Sequence, residues 1–227
     1  MNVSIYPDKI RFFRRRLLQW FKKAGRRFPW RLEGCNSYQI VIAELLLQRT
    51  RASVVSNFLN QFIEKYPSWK ALASVEDNEL EEFLKPVGLW KRRATALISL
   101  AKAVVSRGGE LPRSRGELES LPAIGQYMTN AVLMMCHGEK EPLLDVNMAR
   151  LLERFFGPRE LADIRYDPYL QKLSRQVLSR GPARDLNWAM LDFAAVICRV
   201  RNPLHNDCPL ASECNYYREF MDHANRR

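Results

Sequence analysis

Apolar residues recur at intervals of three and four along most of the chain, which is the period of an α-helix. Turns rich in glycine and proline separate the segments that carry this pattern. Helices are predicted at 8–24, 37–47, 52–66, 69–73, 76–85, 91–106, 114–120, 146–156, 169–179 and 185–197, with a further helix after the turn at 121–125. No segment alternates apolar and polar residues as a half-buried strand does. The pattern therefore predicts an all-α protein.

The predicted helix at 37–47 is apolar on nearly every face, so it should be buried on most sides. Glu44 lies in its middle. A buried carboxylate is costly unless it is paired or protonated, and loss of solvent would raise its pKa. Perturbed acids of this kind concentrate at active sites, although a structural partner such as an arginine is the alternative explanation.

The segment 121–150 combines two features that suit binding of a phosphate group. Its first half is a Pro/Gly turn followed by a helix, and the start of a helix offers unpaired backbone N–H groups. Its second half is a loop at 138–142 that leads to Asp145, which would cap the helix at 146–156. An aspartate before a helix is most often a simple N-cap, so its position alone does not define a catalytic role.

The chain of 227 residues is 47% hydrophobic and carries a formal charge of +11. Ten lysines and arginines against one acid give residues 1–31 a charge of +9. This excess favours a polyanionic partner, while a solvated helix face and a transit peptide are alternatives. Apolar residues at helical spacing should dock this segment on a core: Phe12, Leu17, Trp20 and Phe21. Without a signal peptide or a membrane-spanning run, a cytoplasmic, nucleoid-associated protein is expected.

Three of the five cysteines lie close together near the C-terminus, and a histidine lies among them. Cys198, His205, Cys208 and Cys214 follow the spacing Cys-x6-His-x2-Cys-x5-Cys. Four sulfur and nitrogen ligands within 17 residues indicate a metal site rather than a disulfide framework. On ligand chemistry alone, a Cys3His set suits zinc.

The hairpin and loop at 121–145 and the sequence Asp145-Val-Asn147-Met-Ala-Arg150 resemble the helix-hairpin-helix/Gly-Pro-Asp DNA glycosylase superfamily, which includes endonuclease III and MutY. The likeness covers about residues 10–217. It implies a two-lobed fold with DNA and the active site in the cleft between the lobes. One lobe would be a six-helix barrel at 30–136 that includes the hairpin. The other would combine 1–29 with 137–227 and carry a cluster loop at 198–214.

The resemblance also implies roles for individual residues. Asp145 matches the catalytic carboxylate, and Glu44 matches the second acid of the active site. Tyr127 takes the place of the lysine that forms a Schiff base in the lyase branch of the family, so the chain is expected to be a glycosylase without lyase activity. A tyrosine at this position is typical of the mismatch-specific thymine glycosylases.

Contacts with DNA follow from the same likeness. Gln48 and Arg49 match the position that fills the hole left by a flipped nucleotide, and Leu89 or Trp90 would be a second wedge, with core packing as the alternative for Trp90. Arg92 and Arg93 are expected to reach phosphates. The remaining implied contacts come from the hairpin, the Asp-x-Asn motif and the cysteine loop: Ile124, Gly125, Asn147, Arg199 and Arg201.

The cysteine spacing is similar to the 4Fe-4S loop of the family, with His205 in place of its second cysteine. An iron–sulfur cluster is expected first, zinc second and no metal third. The bound metal or cluster is expected to have a structural role. The function implied is a monomeric glycosylase that removes thymine or uracil opposite guanine in double-stranded DNA. An adenine glycosylase without its C-terminal domain and a non-catalytic DNA-binding module are the alternatives.

The hairpin of the family usually reads Leu-Pro-Gly-Val-Gly, whereas here its first glycine is replaced by Ala123. If this position requires a positive φ, alanine costs about 1 kcal/mol relative to glycine. The substitution would also tilt an amide that faces the phosphate.

Overall fold

The computed structural model describes residues 7–224, and within this range the regular structure is entirely helical. The all-α prediction is confirmed. The α-helices are α1 (Pro7–Ala24), α2 (Ser37–Leu47), α3 (Ala52–Lys65), α4 (Trp69–Ala73), α5 (Asp77–Leu84), α6 (Trp90–Val105), α7 (Arg115–Glu119), α8 (Gln126–His137), α9 (Val146–Phe156), α10 (Pro168–Leu178), α11 (Ala183–Val196) and α12 (Asn215–Ala224). Short 3₁₀ turns lie at Pro29–Arg31, Lys85–Val87 and Ala211–Glu213.

The chain divides into two compact units. Residues 27–138 form the central unit, and residues 7–26 with 139–224 form the terminal unit over the described range. The lobe predicted at 1–29 with 137–227 includes residues 1–6 and 225–227, which lie outside the described residues. No helix in the described chain combines the length and apolar character needed to cross a membrane.

Helix α2 lies in the core of the central unit. Eight of its eleven residues are buried, as its sequence predicts, and it packs against α3, α6 and α8. Its start is fixed by a capping box. The Asn36 side chain accepts the Gln39 backbone N–H, and the Gln39 side chain accepts the Asn36 backbone N–H. Helix α2 is therefore a rigid support for Glu44 and for the turn that follows it.

The terminal unit is built around α1, α9 and α11. Helix α1 docks through Ile10, Phe13 and Leu17, and the Phe13 ring lies 4.9 Å from that of Phe155 on α9. Of the docking residues predicted from the sequence only Leu17 is fully buried, because the apolar stripe of α1 lies one position away from Phe12. Exposed cations cover the opposite face of this helix: Arg11, Arg15, Arg16, Lys22 and Lys23.

Candidate active site

The central unit brings Glu44 and Tyr127 together. Glu44 is only 5% exposed on α2, and Tyr127 is half-buried in the first turn of α8. The Tyr127 hydroxyl donates a hydrogen bond of 3.2 Å to Glu44 Oε2. The packing of α2 on α8 thus gives a buried carboxylate a phenolic donor, which offsets part of the cost of its burial.

The turn before α8 presents the start of that helix without a side-chain cap. Gly125 is the N-cap residue, so the first N–H groups of α8 have no cap from a side chain of that residue. The Ile124 side chain is buried, and its N–H donates to the Leu121 carbonyl at 3.2 Å. Pro122, Ala123 and Gly125 of this turn are exposed, whereas Leu121 and Ile124 are buried.

Ala123 in this turn adopts a left-handed conformation with φ of 61°. The condition under which alanine would be costly at this position, a positive φ, is therefore met. An alanine there costs about 1 kcal/mol relative to glycine, because its Cβ crowds the backbone in this region.

Two further turns of the central unit line one pocket of about 190 Å³ together with Ala123. The 48–50 turn links α2 to α3, and the 87–89 turn precedes α6. Gln48 and Arg49 are exposed, and Leu89 is 46% exposed. Arg49 and Leu89 are also left-handed, with φ of 60° and 50°. Three of the four non-glycine residues with positive φ in the described chain therefore border this pocket, and such strain concentrates at functional sites.

Trp90 and Arg93 behave differently from their neighbours in the 87–89 turn. Trp90 is half-buried against the core of the central unit, with the Lys91 ammonium 5.0 Å from its ring centre. Arg93 is only 6% exposed, and its guanidinium donates to oxygens of the protein. The expectation that Arg93 reaches a phosphate is wrong, because its side chain points inward.

Asp145 belongs to the terminal unit and caps α9, as its position in the sequence predicts. Its Oδ1 accepts the backbone N–H groups of Asn147 and Met148 at 2.9 and 2.7 Å, while Oδ2 accepts the Asn147 side-chain amide at 2.7 Å. Three donors fix the carboxylate, which remains partly exposed.

The structure explains the spacing of Asp145, Asn147 and Arg150. Asn147 donates to the carboxylate and accepts from Arg150 Nη1 at 3.1 Å. Arg150 also donates to the carbonyls of Ala194 and Cys198 at 2.8 and 3.1 Å, at the end of α11. The orientation of the Asp145 carboxylate is thus connected to the start of the cysteine loop through two side chains.

Arg154, one turn beyond Arg150, has a role in the structure that was not predicted from the sequence. It donates to the carbonyls of Arg199 and Val200 at 2.7 and 3.1 Å and stacks its guanidinium 4.5 Å from the Tyr216 ring. Arg199 and Arg201 themselves are exposed on this loop. The one sequence signal for Arg154 was its i+4 spacing from Arg150, which places both on the same face of α9.

The four predicted metal ligands line one small cavity of about 20 Å³. Burial raises the pKa of the Cys208 thiol to about 11, and the backbone N–H groups of Leu210 and Ala211 point toward its sulfur. The His205 ring stacks on those of Tyr217 and Phe220 at 4.9 and 5.0 Å. Burial lowers the pKa of His205 and so favours the neutral form that binds metals.

The chemistry of this donor set suits a thiophilic metal or cluster, since three thiols and an imidazole line the same cavity. In the described part of the chain, no three such side chains lie close enough to hold a single ion. A zinc ion would draw its sulfur ligands to about 3.8 Å from one another, as follows from a Zn–S bond of about 2.3 Å. Sulfur atoms that bind different iron atoms of a cluster lie further apart.

Comparison with known proteins defines the class of this helical protein. Residues 42–176 match the HhH-GPD superfamily of base excision DNA repair proteins, and the chain belongs to this superfamily. The family resemblance found in the sequence is therefore confirmed.

Among its relatives, the thymine-DNA glycosylase of Aeropyrum pernix is 38% identical, with 94% of this chain and 98% of that protein covered. The thymine/uracil-DNA glycosylase of Pyrobaculum aerophilum is 34% identical over 91% and 92% of the two chains. A solved thermostable thymine-DNA glycosylase superposes with a TM-score of 0.87 and 31% identity, covering 93% of this chain and 98% of the other.

Two more distant similarities complete the comparison. The human adenine DNA glycosylase is 28% identical over 91% of this chain, which spans only 39% of that protein. A solved endonuclease III–DNA complex has a TM-score of 0.80 at 22% identity, covering 96% of this chain and 100% of the other, and this likeness concerns the fold alone.

Proposed function

We propose that the protein is a monofunctional DNA glycosylase that hydrolyses the N-glycosidic bond of thymine or uracil mispaired with guanine. The pair of Tyr127 and Glu44 is the observation that carries the proposal, because a phenol occupies the position where the lyase branch has a nucleophilic amine. The Aeropyrum and Pyrobaculum relatives, a thymine-DNA and a thymine/uracil-DNA glycosylase, support the choice of base.

The proposed mechanism assigns the bond cleavage to Asp145. A base within a duplex must be flipped out before it can be cleaved, and a mismatch lowers that cost. Loss of the base leaves positive charge on the sugar, and a fixed carboxylate stabilises this charge and orients water. The three hydrogen bonds to Asp145 hold it in one orientation, so little reorganisation is required during the reaction.

Glu44 and Tyr127 are proposed to bind and orient the flipped base or the water. A carboxylate and a phenol can together accept from and donate to the polar edge of a pyrimidine. Their hydrogen bond fixes the orientation of both side chains before a substrate arrives.

The proposed DNA interface includes Gln48, Arg49 and Leu89, whose exposed side chains border one pocket. The start of α8 would bind a phosphate through the backbone at Gly125, and Ile124, whose N–H donates to the Leu121 carbonyl, would hold this turn in place. Asn147, Arg199 and Arg201 are proposed as further contacts, and Trp90 as a support for Leu89. The partner is double-stranded DNA with a mismatched base, bound by a monomer in the cytoplasm.

The cysteine pocket is proposed to hold a 4Fe-4S cluster through Cys198, Cys208, Cys214 and His205. When bound, the cluster would supply a structural link within the loop and would not break bonds. Analysis of iron, zinc and acid-labile sulfide in anaerobically purified protein, with the visible absorption spectrum, distinguishes the cluster from zinc. Cys208→Ser should remove the iron and the absorption band together, whereas stoichiometric zinc without sulfide would refute the cluster.

The function is tested by single-turnover reactions on labelled duplexes that contain G:T, G:U, A:G or A:8-oxoguanine, each read with and without hot alkali. Breakage at G:T and G:U that depends on alkali is expected. Breakage at A:G would instead support an adenine glycosylase, and strand cleavage without alkali would refute the monofunctional assignment. Binding without base release from any duplex would indicate a non-catalytic module.

A further inference from the structure

A single buried arginine connects the two exposed turns of the central unit. Arg93 Nη2 donates to the carbonyls of Leu46 and Gln48 at 3.0 and 2.6 Å. Its Nη1 donates to the carbonyls of Val87 and Gly88. One guanidinium therefore binds the end of α2 and the turn that leads into α6, although these segments are about 40 residues apart in sequence.

The hydroxyl of Thr50 closes this network. Thr50 Oγ1 accepts from Arg93 Nη2 at 2.6 Å and donates to the Val87 carbonyl at 3.1 Å. The 48–50 turn and the 87–89 turn are thus joined both through Arg93 and directly through Thr50.

The electrostatics of this arrangement are unusual for a buried cation. All five acceptors are carbonyl or hydroxyl oxygens, and no carboxylate lies within ion-pair distance of Arg93 in the described chain. The last carbonyls of α2 lack helical partners and carry the negative end of its dipole, so they suit a guanidinium. Burial lowers the pKa of Arg93 from its ordinary value. Lysine could not reproduce the contacts, because its ammonium lacks the planar fork that spans two turns.

The exposed residues of the two turns are among, or next in sequence to, the residues that Arg93 binds. Gln48 and Arg49 follow directly on one side, and Leu89 follows Gly88 on the other. Arg49 and Leu89 are both left-handed, a conformation that persists only where the surrounding structure determines it. Arg93 supplies that determination for both turns at once.

We infer that Arg93 is a positioning residue that couples the 48–50 and 87–89 turns, so that Gln48 and Leu89 enter the duplex as one unit. The inference rests on the proposed function, since it concerns how these side chains engage DNA. Arg93 acts through these turns and not by contact with the nucleic acid, because its side chain is buried and both terminal nitrogens of its guanidinium donate to protein oxygens.

The test uses a duplex with a tetrahydrofuran abasic analogue opposite guanine, which contains no base to release. Its affinity is compared with that of an undamaged duplex of the same length. Gln48→Ala and Leu89→Ala should each reduce this preference. In the wild-type background, the effect of the double substitution on the preference should differ strongly from the sum of the two single effects. In an Arg93→Lys background their effects should become additive, and the preference itself should fall about tenfold, the scale expected for a direct coupling.

Arg14→Lys is the matched control. Arg14 on α1 caps the last carbonyls of α10 in the same chemical manner, with bonds to Val177, Gln176 and the Ser179 hydroxyl, but it belongs to the terminal unit. Arg14→Lys should lower stability to an extent similar to that of Arg93→Lys, but it should not change the preference for the analogue. Hydrogen exchange adds a readout on the free protein, where Arg93→Lys should accelerate exchange in both turns together.

Thr50→Val, which removes only the bridging hydroxyl, gives the same test if Arg93→Lys does not fold. Preference and coupling retained in these variants, with stability lowered as in Arg14→Lys, would refute the inference while leaving the proposed function intact. A wild-type protein without preference for the analogue would refute the proposed function, and this inference with it.

Discussion

Replacement of Asp145 by asparagine keeps the cap of α9 but removes the negative charge that the proposed reaction requires. Asparagine is as good an N-cap as aspartate, so its Oδ1 retains the backbone N–H groups of Asn147 and Met148. The new amide would face the Asn147 amide, and the bond at 2.7 Å would be lost. That loss, with the loss of charge at the helix N-terminus, should cost about 1–2 kcal/mol of stability.

The expected effect on base release is much larger. Removal of one preorganised electrostatic group commonly lowers a rate by about 10²- to 10³-fold, and loss of a group that also orients water adds to this. A loss of at least about 10³-fold corresponds to about 4 kcal/mol of transition-state stabilisation. A domain with about 5–15 kcal/mol of stability remains folded after the smaller loss, so the two effects can be measured separately.

The assay is single-turnover release from a G:U duplex, with urea unfolding and duplex affinity measured on the same preparations. Asp167→Asn is the matched control, because Asp167 caps α10 in the same unit. Asp145→Asn should be folded, should bind DNA nearly as the wild type does, and should be almost inactive. A rate within tenfold of the wild type, or an equal loss of binding and release, would refute the catalytic assignment of Asp145.

Three further predictions follow from single residues. Ala123→Gly should raise the free energy of unfolding by up to about 1 kcal/mol, because glycine adopts a φ of 61° without strain. Urea denaturation that gives an unchanged free energy of unfolding would show that Ala123 is unstrained. Asn147→Ala should lower kcat because it frees the Asp145 carboxylate, and it should raise KM for the duplex because a proposed DNA contact is lost; a change in KM alone would show that Asn147 does not orient the carboxylate. Burial disfavours ionisation of Asp167, but backbone N–H groups of Leu170, Leu161 and Glu160 outweigh this and hold its pKa below the ordinary value. Its contribution to stability is therefore present above about pH 4 and is lost as the pH falls through the lowered folded pKa. The free energy of unfolding, measured with urea between about pH 5 and pH 2, should accordingly fall less steeply with decreasing pH for Asp167→Asn than for the wild type. The same pH dependence in both proteins would contradict this.

Local signals were sufficient to predict much of the helical structure. Helix α9 begins and ends as predicted because Asp145 caps it and Gly157 stops it, and both signals are adjacent to the helix in sequence. Helix α2 was equally predictable, since an apolar segment follows a capping residue. The docking face of α1 was less well predicted, because several apolar stripes fit its sequence and only packing selects one.

The candidate site was harder to predict because its contacts join distant positions. Glu44 and Tyr127 are 83 positions apart, and only the family resemblance suggested a common role before the packing of α2 on α8 brought them together. Arg93 lies in a basic run, Lys91-Arg92-Arg93, whose composition indicates a phosphate contact. Nothing local shows that the third residue turns inward to five oxygen acceptors, the furthest 47 positions away.

Helix α9 gives a physical reason for the Asp-x-Asn-x-x-Arg motif. Its N-cap carries the carboxylate, and the same helix directs Arg150 and Arg154 to successive carbonyls of the cysteine loop. Arg150 is connected back to Asp145 through Asn147, so the loop and the carboxylate share one support. If the motif served only to cap α9, Asp145 alone would suffice, and neither Asn147 nor Arg150 would be needed. The additional hydrogen bonds fix the direction of the carboxylate, which the proposed reaction requires and capping does not.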